Sequence, residues 1–457
     1  MWGGKALLLS LYGTCIFLSA TGQDPADSIF IRKIFDIALE NLESYTWLKE
    51  LCSIAPKRLS NYADYFKAVA WAEEKGLKWM GLTVERQPVW VPNWYRGNPE
   101  VALLEVSGRT FPLNAAALGG SAAGHVRASV VGFATLEALE LAPTSLVQGK
   151  IVFINQGFDP HPVETGTSYG MAVGSRRNGP AVAARKGALA CLIRSMTHAR
   201  DDYPHTGMTV FPDSVTPIPA LALGMVSADT LWAVIKSQKE HTLFIETFCR
   251  QGPDTLSFNV VGEWKGKEKP GEFIVVGGHL DAWDTGSGAH DDGAGCIHAM
   301  MALRLLQKAG YTPRRTLRFV LFANEENGLR GAEVYYKLSY QRGEVHVAAL
   351  ESDAGGFTPR GFRYENNPTR AALLQDFLPL LMPYGISFFR PGGSGADLIP
   401  FRKETDCLLL GYSPDSQRYF DHHHAATDTP EHVHPRELEL GSACIAALIY
   451  LLDKYLP

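Results

Sequence analysis

The sequence has no Cys-x-x-Cys pair, no Asn-x-Ser/Thr sequon and no run of lysines and arginines. Without paired cysteines there is no zinc-thiolate site to expect. Seven cysteines are present, and apart from Cys15 they stand far apart, at Cys52, Cys191, Cys249, Cys296, Cys407 and Cys444. The lack of a basic run, with a net charge of −5 over 457 residues, speaks against a nucleic-acid partner, which needs a basic face. Asn367-Pro368-Thr369 comes nearest to a sequon, and its proline excludes it. Among exported proteins this favours a bacterial envelope protein. After the first twenty-odd residues no uncharged apolar stretch reaches the roughly 20 residues that cross a bilayer.

What is present begins with such a short apolar stretch. In "MWGGKALLLSLYGTCIFLSATGQDP" one lysine precedes an uncharged run from Ala6 to Ala20, and the small residues Ala20 and Gly22 precede Gln23. This is the layout of a secretory signal over residues 1–22; an uncleaved anchor is the alternative. Hydrophobic content of 46% and charged content of 20% are ordinary for a globular protein. The length exceeds one ordinary core and implies two domains, or one with an insertion.

Three regions follow. Residues 23–97 read as helical, with apolar residues at helix spacing in "DSIFIRKIFDIALENLESYTWLKELCSIA" and Asp27 or Ser28 as N-cap. A second helix, "DYFKAVAWAEEKGLKWMGL", ends near Gly81, and an extended segment follows. Residues 98–250 carry short strand-like runs separated by Gly and Pro ("VALLEV", "SVVGFA", "KIVFINQ", "ALACLIR", "TLFIETF") and one helix-like stretch, "GPAVAARKGAL". They are expected to form a small, strand-rich inserted domain. Residues 251–457 alternate strand, loop and helix, with strands at "GEFIVVGGH", "RTLRFVLFANEE", "VHVAALESD" and "DCLLLGY". Such alternation predicts an α/β fold with a mostly parallel sheet flanked by helices, and ligands bind at the carboxyl ends of its strands.

That is where the unusual residues fall. The stretch "GGHLDAWDTGSGAHDDGAGC", 277–296, packs four acidic side chains, two histidines and six glycines into twenty positions after an apolar strand. Crowded carboxylates repel, so a positive partner is required among them. His279 and Asp281 end one strand, Asp291 and Asp292 open the next helix, Glu325 and Glu326 end a second strand, Asp353 a third, and His424 follows a fourth. Mixed oxygen and nitrogen ligands suit zinc, with cobalt or manganese as alternatives. Five ligand groups exceed one tetrahedral ion and suit two ions sharing a carboxylate, about 3.5–4 Å apart, which together activate one water.

The series "GGHLDAWDTGSGAHDDGAG", "FANEENGLRGAE", "ESDAGG" and "HAATDT" resembles the zinc-dependent co-catalytic peptidases, which include bacterial leucyl aminopeptidases, glutamate carboxypeptidases and the transferrin receptor ectodomain. The resemblance covers nearly everything after the leader. It implies that His279, Asp291 and Asp353 hold one zinc, that Asp291, Glu326 and His424 hold a second, and that Glu325 is the general base. It assigns Asp281 the orientation of His279, leaves His422 and His423 structural or substrate-facing, and leaves His290 a bystander. It further implies a protease-associated-like lid at 98–250, a cis Asp291–Asp292 peptide, a homodimer, and small unblocked peptides, dipeptides above all, as substrates. Residues 204–207 ("PHTG") and 392–397 ("GGSGAD") are candidate substrate loops. The alternatives are an aminopeptidase of the same family on longer peptides, a non-catalytic receptor ectodomain on this fold, and a one-zinc glutaminyl cyclase.

Overall fold

The computed structural model describes residues 25–404 and 406–457. The expected leader lies outside the described residues. At the centre is an eight-stranded mixed sheet. Its middle four strands, Arg315–Phe322, Lys269–His279, Val345–Glu351 and Leu408–Pro414, run parallel in that spatial order. They are near-continuous apolar runs because both faces are covered. One face carries the helices Ala294–Ala309, Pro435–Tyr455, Pro25–Asn41 and Glu43–Ile54, which share the largest apolar core. The other carries Arg330–Gln341, whose Ala332 and Tyr335 pack with Val275, Val320 and Phe322.

The flanks of the sheet are antiparallel. Thr83–Tyr95 forms one edge, paired to Arg250–Trp264 from Thr83↔Glu263 to Tyr95↔Arg250. Pro359–Glu365 runs antiparallel to Leu408–Pro414, with Phe388–Pro391 beyond it as the opposite edge. Residues 96–249 leave and return through the first of these pairs. They build a four-stranded sheet and a five-stranded sheet; Val101–Val106 pairs with His241–Thr247, so the segment's first and last strands are neighbours.

Every strand-like run expected at 98–250 is a strand, but the segment is richer in helix than expected. Leu136–Leu141, Thr144–Val147, Thr165–Arg177, Gly179–Arg185 and Met225–Lys236 are all helical. Thr165–Arg177 carries Gly166, Gly170 and Gly174, which lower helix propensity and hide it from a periodicity reading. The first helical run is also two helices, broken where Leu42 adopts φ +47°. Asp27 is not a cap. It lies inside Pro25–Asn41, buried, and its carboxylate accepts from Tyr450, Lys454 and Tyr455 on the last helix.

The six cysteines beyond Cys15 are buried free thiols. Among the described residues no helix is long and apolar enough to cross a membrane.

Candidate metal centre and active site

The strand Lys269–His279 ends beside the start of the helix Ala294–Ala309. Gly278 and Gly295 permit the approach: a Cβ on Gly278 would lie 2.6 Å from an Asp292 oxygen, and one on Gly295 would lie 1.8 Å from the Ser352 carbonyl oxygen. Between strand and helix the loop is tied down from within. The fully buried Arg58 donates to the carbonyls of Leu280 at 2.7 Å and Gly288 at 2.6 Å. Asp428 accepts from the backbone N–H groups of His290 at 2.6 Å and Asp291 at 3.2 Å. The Asp291–Asp292 peptide is cis. Asp292 spends both oxygens on backbone, accepting from His279 N–H at 3.1 Å and Gly295 N–H at 2.9 Å.

The expected ligands converge on Asp291. Its Oδ1 lies 3.2 Å from His279 Nε2, and its Oδ2 lies 3.1 Å from His424 Nε2. Asp353 Oδ1 stands 3.6 Å from His279 Nε2, and Glu326 Oε2 stands 3.0 Å from His424 Nε2. Each imidazole thus faces two carboxylates, and Asp291 belongs to both groups. Glu325 Oε2 is 4.0 Å from His279 Nε2. Glu325 and Asp353 remain about one-fifth exposed, while Asp291 and His279 are buried.

Asp281 departs from its expected contact. His279 Nδ1 meets the backbone carbonyl of Asp281 at 2.9 Å, while the nearer carboxylate oxygen is 3.9 Å away. That carboxylate instead accepts from the N–H of Glu325 at 3.1 Å and of Glu326 at 3.3 Å. It fixes the turn that carries both glutamates, and Trp283 N–H holds Glu326 Oε1 at 3.2 Å.

His424 is held from the intervening segment. Its Nδ1 lies 3.2 Å from the Thr206 carbonyl oxygen and 3.3 Å from Arg176 Nη1, which itself donates to that carbonyl at 3.2 Å. A proton on Nδ1, donated to Thr206, leaves Nε2 with the lone pair a metal needs. His424 also sits at φ +61°, a costly backbone region for a residue other than glycine. Thr206 N–H and Thr285 Oγ1 hold its carbonyl there. Arg176 and Asp428 were not anticipated as site residues, and Thr206, expected only within a substrate loop at 204–207, holds His424 instead. His290 is buried against Phe357 and bonded to backbone. His423 comes closer than expected, its ring stacked on His424 and its Nε2 3.6 Å from Asp291 Oδ2.

The electrostatics ask for cations. With protons as the only counter-charge, burial opposes charge on the imidazoles, yet Asp291 and Asp353 hold His279 well above its ordinary range. Glu326 and Asp291 likewise raise His424 to about 10 against its burial. Burial pushes Glu325 well above the usual carboxyl range and Glu326 up to about 7. Against its own burial, Asp291 is driven well below by the two histidines. Dications in place of those protons leave the imidazoles neutral and the carboxylates ionised, the states that bind metal. The donor geometry agrees. His279 Nε2 and Asp291 Oδ2 are buried with no hydrogen-bond partner, and three overlapping groups, His279–Asp291–Glu326, His279–Asp292–Asp353 and Asp291–His423–His424, each have ligand atoms within 4.8 Å of one another, so Asp292 and His423 stand among the expected ligands.

The model of peptidase family M28 matches residues 259–449. Carboxypeptidase Q of Mus musculus is 31% identical over 91% of this chain and 87% of its own length, and that of Homo sapiens 32% over 91% and 86%. The chain belongs to peptidase family M28. A peptidase M28 precursor from Shewanella amazonensis SB2B, solved crystallographically, superposes with a TM-score of 0.88 at 31% identity, covering 94% of this chain and 97% of that one. The zinc aminopeptidase BSAP of Bacillus subtilis shares the fold, with a TM-score of 0.63 at 18% identity over 91% and 96%. This M28 member is accordingly a metallo-exopeptidase. A cleft of about 700 Å³ is lined at one place by Asp353 and Glu351 and at another by Glu164, Arg363 and Arg390.

Proposed function

We propose that this M28 chain is a two-zinc exopeptidase for small unblocked peptides, dipeptides foremost. The observation that carries this is Asp291, whose two oxygens face different imidazoles at 3.2 and 3.1 Å. His279, Asp291 and Asp353 would hold one zinc, and Asp291, Glu326 and His424 the other. Bound zinc lowers the pKa of water towards neutral and stabilises developing negative charge on a carbonyl oxygen.

The protein's own groups do the rest. Glu325 takes the proton of the attacking water and returns it to the leaving amine, so one carboxylate serves as base and then acid. Its place beside His279 and its partial exposure suit both tasks. The C–N bond breaks as the new C–O bond forms, and the two products are a shorter acid and a free amine. Asp281 acts as a positioning residue, holding Glu325 and Glu326 by their backbone.

Residues 98–250 serve in this reading as a protease-associated-like lid. Its support is the Thr206 carbonyl at His424 and the presence of Glu164 in the cleft wall. Homodimerisation and export to the envelope or the exterior complete the proposal. The test is Glu325→Gln: zinc content stays near that of the parent, and kcat on a dipeptide falls roughly 10²–10⁴-fold. Full kcat in this variant refutes the assignment of the base.

A further inference from the structure

The cleft has two unlike ends. At one end are Asp353 and Glu351. The other is built on neighbouring strands in register: Glu351 aligns with Gly411, Gly411 with Arg363, and Arg363 with Arg390. Residues in register point to the same face of a sheet. At a strand spacing of about 4.8 Å, the Cα of Arg363 stands about 10 Å from that of Glu351, and that of Arg390 about 14 Å. Gly411 has no side chain, so Gly393 and Ser394 lie directly on the sheet between the two ends; a Cβ there would meet the Gly393 carbonyl oxygen at 2.7 Å.

Arg363 and Arg390 are side by side and would repel. One carboxylate, that of Glu164, bonds to both, one oxygen to the Nη2 of each. The triad keeps a net charge of +1. A guanidinium has five N–H donors, and among the described residues neither side chain donates to any other acceptor. The Arg390 guanidinium carbon also lies 4.0 Å over the Phe388 ring, which fixes it to the wall. Arg360, in the same cleft, differs: Asp415 neutralises it at 2.9 Å.

We propose that Arg363 and Arg390 form the subsite for the C-terminal carboxylate of the substrate, with Glu164 holding the two guanidiniums together. This rests on the exopeptidase reading above. The zinc end takes the scissile carbonyl, and the cationic end takes a carboxylate by charge-assisted, planar pairing. The span between them, less the length of an arginine side chain, fits one or two residues at about 3.3–3.6 Å each. The ligand class is therefore a peptide with a free C-terminal carboxylate and a short leaving portion.

The test compares kcat/KM for a dipeptide acid and its C-terminal amide. The zinc-loaded parent should favour the acid by about 10- to 100-fold, the range of a hydrogen-bonded charge. Arg363→Gln and Arg390→Gln should each lower the rate on the acid about tenfold or more, mainly through KM. Both should lower the rate on the amide far less than on the acid, and Arg390→Lys should recover part of the preference. Arg390 is about two-fifths exposed on an edge strand, so its variants test the subsite even if Arg363→Gln fails to fold. Equal rates on acid and amide in the parent overturn the proposal. So do variants that slow both substrates alike with a lowered Tm, which would make the triad a structural tether only. Cleavage of hexapeptides with neither dipeptide cleaved would instead overturn the small-peptide reading beneath it.

Discussion

Asp281→Asn separates two roles for one buried carboxylate. In the parent the carboxylate accepts two backbone N–H groups, at 3.1 and 3.3 Å, at a site with no solvent exposure. Asparagine keeps one oxygen, so one bond survives without its charge, at roughly half strength and a loss of about 1 kcal/mol. Its amide NH2 faces the other N–H, donor against donor. That leaves one buried amide unsatisfied, at a cost of about 1–3 kcal/mol. The total, about 2–4 kcal/mol, falls on the turn that aims Glu325 and Glu326. At 1.4 kcal/mol per factor of ten, kcat should drop by roughly 30- to 1000-fold if the whole cost appears in the reacting geometry. The assay is kcat on a dipeptide at saturating zinc, with zinc content and Tm measured beside it. The expected result is a large fall in kcat and a lowered Tm with zinc content near that of the parent. A variant with full kcat and parental Tm refutes the positioning role. A variant whose only defect is weakened zinc binding shows that the carboxylate acts on the ligands, Glu326 through its backbone or His279 across the 3.9 Å gap, and not on Glu325.

Metal analysis of the fully active enzyme should give close to two zinc ions per chain, and one ion at saturating zinc refutes the shared-Asp291 arrangement. Glu326→Ala should lose metal, whereas Glu325→Gln keeps it; retention of both ions by Glu326→Ala counts against Glu326 as a ligand. In a series from two to eight residues sharing one scissile bond, kcat/KM should be highest for the dipeptide; a rate that holds steady or rises with length means an open groove. Far from the zinc site, burial raises the Glu439 carboxyl to about 7 from an ordinary 4.5, so the folded state holds the extra proton between those values and stability falls as pH rises through that window. The loss is at most about 3 kcal/mol. Glu439→Gln should therefore narrow the Tm difference between pH 5 and pH 8 at saturating zinc, and an unchanged difference refutes this.

The strand ends that carry His279, Glu325, Glu326 and Asp353 were legible because each is an apolar run that stops at an acid or a histidine, as with "FIVVGGH" and "RFVLFANEE". The strand next to the edge of the central sheet was not. Arg250–Trp264 is exposed along its first half and buried only towards its end, so no single period runs through it. The supports of the site were equally hidden. Thr206 meets His424 across 218 positions, and Asp428 meets Asp291 across 137; spacing along the chain carries no trace of such contacts. For Asp281 the residue was legible but its working atom was not, since a main-chain carbonyl at His279 leaves no mark on the sequence.

The hairpin that roots the 96–249 segment bears on how the chain folds. Tyr95 and Arg250 are partners although 155 positions separate them. Closing a flexible loop of that size costs about 4 kcal/mol in chain entropy, plus a constant. The segment's own outer strands pair one step further on, at Val101↔Glu246. Once that sheet has formed, its two ends emerge side by side, and the loop still to be closed is a few residues on each strand. A pre-formed segment thus makes this long-range pairing effectively local, a folding template for the edge of the central sheet.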